Sequence, residues 1–170
     1  QTLYILCFHR ISDEFSPAYP PIPVKVFSRI MSYINRKYLV IPFNDIFTCF
    51  RRRKQKVLII FDDAYYDFYE NALPILSKYK FPAIQHVITT CAENGKSFWT
   101  QRLNKMVEAY YKEAKPISYP DILDPVSVKN PTEVEKLALR FYRQLLKYEN
   151  RLEIIRELES NLEEPPEATP

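Results

Sequence analysis

Val57 to Asp67 reads VLIIFDDAYYD, and the fold turns on this stretch. Together with Lys56, the run KVLIIF is apolar beyond its first residue and rich in β-branched side chains. A strand that is covered on both faces reads this way, because neither face carries polar groups. The run stops at two adjacent acids, Asp62 and Asp63. Downstream, Tyr66 to Tyr79 sets Ala72, Leu73, Ile75, Leu76 and Tyr79 on an apolar helical face. Pro74 lies inside that span and should end or kink its first part. Phe81-Pro82 is a turn, and Ala83 to Thr90 reads as a further strand. Upstream, Leu39 to Ile41 is a short strand, and Asn44 to Phe50 is a helix or turn. Val26 to Lys37 repeats Phe27, Ile30, Met31 and Ile34 at helical spacing. A loop with prolines at 17, 20, 21 and 23 precedes it. The first strand is Leu3 to Phe8, LYILCF, expected to be buried and to end at His9-Arg10.

Strands that alternate with helix-sized crossovers argue for parallel βα units. Such sheets gather functional groups at the carboxyl ends of their strands. His9 and the Asp62-Asp63 pair both fall at such ends.

After Phe98-Trp99 the pattern becomes helical. Gln101 to Lys115 is a mixed-charge helix, and 116–131 reads as a proline-containing connector. Thr132 and Glu135 fit a capping box for a helix to about Tyr148. Leu152, Ile155, Leu158 and Leu162 continue at helical spacing, and EEPPEATP at the end reads as disordered. This divides the chain into 1–103, a helical part at 104–162, and a tail at 163–170.

The 170 residues carry a net charge of +3 and are 46% hydrophobic and 26% charged, which fits one globular domain. The basic cluster Arg51, Arg52, Arg53 and Lys54 has no aromatic interleaving, so nucleic acid is not expected and a solvated loop is. No apolar run nears the ~18 residues of a membrane span. The N-terminus has no signal-peptide pattern. Cys7, Cys49 and Cys91 match neither a zinc ribbon nor a disulfide scaffold, and Cys7 and Cys49 read as buried thiols. The chain has one glycine, Gly95, and two histidines, His9 and His86, so any metal site must be built within that limit.

Two neighbouring acids on an extended backbone point in different directions. One can hold a metal while the other stays free as a base, a division that metal-assisted hydrolysis needs. The competing reading is a helix N-cap followed by a first-turn acid. A phosphohydrolase with acids at a strand end ranks below both, since it wants D-x-D and these acids are adjacent.

The chain resembles the polysaccharide deacetylases of the NodB type (carbohydrate esterase family 4). Their strand ends TFDDG, followed by Y-x-D-N-Y-x-x-A-x-P-I-L, a lysine-rich turn and P-A-T-x-F-V. Residues 60–90 here read IFDDAYYDFYENALPILSKYKFPAIQHVITT. Phe8-His9-Arg10-Ile11 is similar to the family's Y-H-R-I opening. Phe27 and Met31 resemble its F-x-x-Q-M helix, and Phe98-Trp99 with Arg102 and Leu103 its F-W-x-x-R-L segment. The resemblance covers about residues 3–103.

It implies an α/β fold, a partial or open (β/α) barrel of about seven strands when whole, with extra C-terminal helices. It implies hydrolysis of the N-acetyl amide of an N-acetylated polysaccharide, at the cell envelope or outside the cell. Asp62 would be the general base, and Asp63 a carboxylate ligand of a divalent metal, usually zinc. His9 and Tyr65 would face substrate, with His9 also able to position Asp62.

The family's H-S/T-x-x-H metal motif is missing from this chain, and Ala64 stands where the family has glycine, a change that strains the backbone if φ is positive there. An incomplete or diverged copy, inactive alone, is therefore expected. The alternative is a non-catalytic module that binds glycan or protein. His86 reads as a core histidine, with a metal site of His9, Asp63 and His86 as the minor option. Phe98-Trp99 is expected to pack against the barrel.

Overall fold

A computed structural model describes residues 2–14, 16, 18–47, 55–95 and 97–165. The chain divides into two compact units, Gln1–Phe15 with Pro21–Ile88, and Ser16–Pro20 with Thr89–Pro170.

The first unit is a parallel sheet with helices. Its strands are β1 (Leu3–Phe8), β2 (Leu39–Val40), β3 (Lys56–Phe61) and β4 (Ile84–Gln85). β3 is central. β1 runs beside it over its full length, from Leu3 opposite Lys56 to Phe8 opposite Phe61. On the other side β2 pairs with its start and β4 with its end, all in parallel. The sheet is open, as expected, with no closed barrel among the described residues.

Val57, Ile59 and Phe61 on one face of β3 pack against Phe27, Met31 and Ile34 of α1 (Val24–Lys37) and Leu76 of α2 (Leu73–Tyr79). Full burial of a side chain such as Phe61 contributes about 1.5–3 kcal/mol. β1 is not buried as expected. Phe8 is covered, but Ile5 is 58% exposed, because it lies on the face opposite Leu6 and Phe8, which pack into the helix-covered core.

The expected helix over Tyr66 to Tyr79 is two pieces. A π-helical turn, Phe68–Ala72, leads into α2, and Pro74 falls in the first turn of α2. Proline cannot donate to the turn before it, and the change from π-helical to α-helical winding falls just ahead of it. The strand expected over Ala83 to Thr90 is only the two residues of β4, and α3 (Thr89–Asn94) follows it. A 3-10 turn at Phe43–Asp45 begins the segment read as a helix or turn. Cys49 and the basic cluster 51–54 lie outside the described residues.

The second unit is mainly helical: α4 (Trp99–Lys112), α5 (Pro131–Leu145) and α6 (Arg151–Ser160). Leu103, Met106, Val107 and Tyr110 of α4 meet Val134, Leu137, Ala138, Phe141 and Leu145 of α5, with Ile154, Ile155 and Leu158 of α6 closing the core. Leu152 is exposed instead, and Ile154 takes the inward position. The cap of α5 is Asn130, two residues before the expected Thr132. Its side chain accepts from the Glu133 amide at 3.0 Å, and Pro131 occupies the first helical position. Phe98-Trp99 belongs to this unit's core and not to the sheet's. Trp99 stacks on Tyr142 at 5.3 Å, with the Arg151 guanidinium 5.5 Å from its ring centre. Arg102 forms a forked ion pair with Glu159. Residues 116–131, read as a connector, contain an antiparallel pair, β5 (Ile117–Tyr119) and β6 (Leu123–Val126). The prolines at 116, 120 and 125 hide it in the sequence.

With a single glycine in the chain, other residues take the left-handed positions. Lys80 (φ 55) and Ala114 (φ 53) end α2 and α4, and in both cases the next residue's amide reaches back to a helix carbonyl, Phe81 to Leu76 and Lys115 to Tyr110, each at 3.0 Å.

Candidate active site

Three parallel strands end level with one another, and the residue after each end lies in the same row. The Asp62 amide donates to the Phe8 carbonyl at 2.9 Å, and the His86 amide to the Phe61 carbonyl at 2.8 Å. These bonds carry the ladder one step past β1, β3 and β4. They set His9, Asp62 and His86 side by side. Side chains alternate between faces along a strand, so Cys7, two residues before His9, lies on the same face.

Asp62 is the hub. His86 Nδ1 lies 2.7 Å from its Oδ1, and the Cys7 thiol donates to its Oδ2 at 3.0 Å. His9 Nε2 stands 3.9 Å from Oδ2. The hydrogen bond from Cys7, then that from His86, then the charges of the two histidines pull the Asp62 carboxyl below its ordinary range, against partial desolvation. An ionised carboxylate only accepts, so His86 carries its proton on Nδ1. Partial desolvation, the bond to Asp62 and the charges of both acids push the Cys7 thiol up to about 11. Cys7 is exposed and not the buried thiol expected; it is on the uncovered face of β1. His86 is not a core residue either. Its side chain is 61% exposed and bonds Asp62.

Asp63 follows a different path. Its φ of 70° and the φ of 53° at Ala64 place both in the left-handed region. The two carboxylates diverge because of this turn, not through the pleat of an extended strand. Ala64 is thus strained as anticipated where glycine would be at ease. Burial, and then the charge of Asp62, raise the Asp63 carboxyl, with His9 pulling the other way. The environments push the two acids apart, as happens where neighbouring carboxyls take different jobs.

Below the row an ion pair ties two loops together. Asp67, 9% exposed, accepts from Arg10 Nε at 3.0 Å and from the Ile11 amide at 3.2 Å. Asn71 Nδ2 donates to the Ile11 carbonyl at 2.9 Å. Burial raises the Asp67 carboxyl against the pull of the Ile11 amide and Arg10. The Tyr65 ring, 7% exposed, lies beneath the Arg10 guanidinium at 5.0 Å. Tyr65 therefore supports the loop that carries His9. Sequence reading missed Asp67 as a clamp, although it is the third acid of the DDAYYD run.

Among the described residues one set of metal-type donors converges: Cys7, His9 and Asp62, whose ligand atoms all lie within 4.8 Å of one another. Asp63 is not in it. The donor set that the family's zinc would need around Asp63 therefore does not assemble among the described residues.

These features define a parallel α/β protein with a carboxylate-centred site at its strand ends. A family model of polysaccharide deacetylases matches residues 51–137, half of the chain, and the chain belongs to that family. Comparison with curated proteins returns no match. Three solved structures are similar to the chain. A de-N-acetylase from Aggregatibacter actinomycetemcomitans is 17% identical, over 79% of this chain and 50% of its own, with a TM-score of 0.42. BA0330 of Bacillus anthracis, described as a polysaccharide deacetylase, is 22% identical over 64% and 36%, at 0.43. The Streptococcus pyogenes deacetylase PplD, in complex with acetate, is 20% identical over 92% and 80%, at 0.48. The chain spans half or less of the length of the first two. No helix among the described residues is long and apolar enough to cross a membrane.

Proposed function

We propose that this chain supplies the base-bearing part of an enzyme that hydrolyses the N-acetyl amide of a polysaccharide at the cell envelope or outside the cell. The observation that carries this reading is the state of Asp62: ionised, held by Cys7 and His86, and beside a neighbour whose own carboxyl is pushed up. Each Asp62 oxygen accepts one bond in the row, and a carboxylate has about four acceptor positions. Room therefore remains for a water. Asp62 takes that water's proton as its oxygen attacks the acetyl carbonyl, a role worth about 10²–10⁴-fold in rate. His9 positions Asp62 and meets substrate at the rim, and Tyr65 holds the adjoining loop.

In this reading Asp63 is a carboxylate ligand of a divalent metal, zinc by family pattern, whose chemistry is to polarise the acetyl oxygen. Asp63 has no set of converging donors around it among the described residues. The chain is then an incomplete or diverged copy of the deacetylase domain, its open sheet part of a NodB-type barrel and its helical part from 104 an insertion. The same isolation of Asp63 favours the second reading, a non-catalytic module that binds glycan or a protein partner.

Acetate release from an N-acetylated glycan by the full-length protein separates the two. The enzyme reading expects release that falls at least about 100-fold in Asp62→Asn. Release unchanged in that variant refutes the base assignment. No release at all, with glycan binding intact, selects the binding module.

A further inference from the structure

We propose that Cys7, His9 and Asp62 form a binding site for a thiophilic divalent cation, zinc being the natural occupant, at a position separate from Asp63. The register builds it. Cys7 and His9 are alternate residues of one strand end, and Asp62 is one step past the end of the neighbouring strand. Their donor atoms, Sγ, Nε2 and Oδ2, already lie within 4.8 Å of one another, with Sγ and Oδ2 at 3.0 Å and Nε2 and Oδ2 at 3.9 Å. Tetrahedral zinc has bonds of about 2.3 Å to sulfur and about 2.0–2.2 Å to nitrogen or oxygen, which sets ligand atoms roughly 3.3–3.6 Å apart. Rotation of the exposed Cys7 and the partly exposed His9 and Asp62 side chains closes that difference. A thiolate, an imidazole and a carboxylate suit zinc or cobalt and not magnesium or calcium.

His86 adds the outer support that such sites use, because its Nδ1 holds Asp62 Oδ1 and leaves Oδ2 for the cation. Three protein ligands leave a fourth position for water. On binding, the Cys7 S–H bond breaks, its proton passes to buffer, and a sulfur–metal bond forms. The proposal stands apart from the deacetylase reading. Where that reading holds, a cation on Oδ2 occupies the base, so excess zinc suppresses acetate release.

Cobalt(II) added to the reduced 170-residue chain is the probe, read as the near-ultraviolet thiolate-to-cobalt charge-transfer band, with circular dichroism to establish that each variant is folded. The wild type should give a band that saturates at one cobalt per chain and that zinc removes. Asp63→Asn should retain it, Cys7→Ser should abolish it, and His9→Gln should weaken cobalt binding by about tenfold or more. Absence of the band in the wild type overturns the proposal. So does a band that survives Cys7→Ser, since another thiol would then be the ligand, or one that Asp63→Asn removes. None of these outcomes depends on whether the chain releases acetate.

Discussion

Both compact units contain structural ion pairs, Arg10 with Asp67 in the sheet unit and Arg102 with Glu159 in the helical one, but they differ in the acids left outside such pairs. In the helical unit the charges are structural: Arg102 is forked onto Glu159, and Lys115 lies between Glu113 and Glu163. Its interior is apolar from Leu103 to Leu158. In the sheet unit no lysine or arginine among the described residues forms an ion pair with the acids at the strand end, Asp62 and Asp63. Asp62 has a thiol and two histidines for neighbours, and Asp63 sits on a strained left-handed turn. Left-handed residues occur in both units, Ala114 and Asp121 in the helical one, but the two adjacent acids shifted in opposite directions, the pattern that can accompany a functional site, are in the sheet unit.

The contrast can be broken by mutation. Phe141 is fully buried in the helical core, and Phe141→Ala should lower stability by about 3–5 kcal/mol in denaturant melts while the titration of Asp62 stays as it was. A shift in that titration would mean the units do not act separately. In the sheet unit, Asp67→Ala leaves the largely covered Arg10 without its buried partner and should cost about 3 kcal/mol. A loss below about 1 kcal/mol would show that Arg10 finds water instead. Ala64→Gly should raise stability by about 0.5–1 kcal/mol, because relief of the left-handed strain exceeds the added freedom of the unfolded chain. Destabilisation by that change would remove the strain argument.

Much of the sheet unit was legible in the sequence. KVLIIF ending in two acids dictates a central strand with carboxylates at its end, and Phe27, Met31 and Ile34 dictate a helix laid on it. The site was legible in part. Asp62 and Asp63 stand out as residues, but Cys7 and His86 do not. A cysteine in LYILCF looks like one more apolar residue, and only the pairing of β1 with β3 brings its sulfur to Asp62. His86 sits in a run that reads as a strand, yet β4 stops at Gln85 and frees the imidazole to turn toward Asp62. Register between strands is a property of the fold and leaves little trace in a single sequence. The β5–β6 pair was hidden for a local reason. Pro125 is tolerated in a two-stranded ribbon because the N–H it lacks need not point at a partner, whereas proline in a central strand argues against the assignment.

The site rests on two neighbouring acids whose carboxyls are shifted in opposite directions. Asp62, lowered, contributes stability that is present above its unfolded pKa and is lost as pH falls through its folded value. Asp63, raised, contributes stability that is present below its unfolded pKa and is lost as pH rises through its folded value. A carbon-13 NMR titration of the side-chain carboxyls, assigned with Asp62→Asn and Asp63→Asn, reads both groups directly. Asp62 should titrate below the ordinary aspartate range and Asp63 above it, with Asp62 rising when His86 is replaced by alanine. Two acids that titrate together near the ordinary value, or in the reverse order, would contradict those opposite shifts.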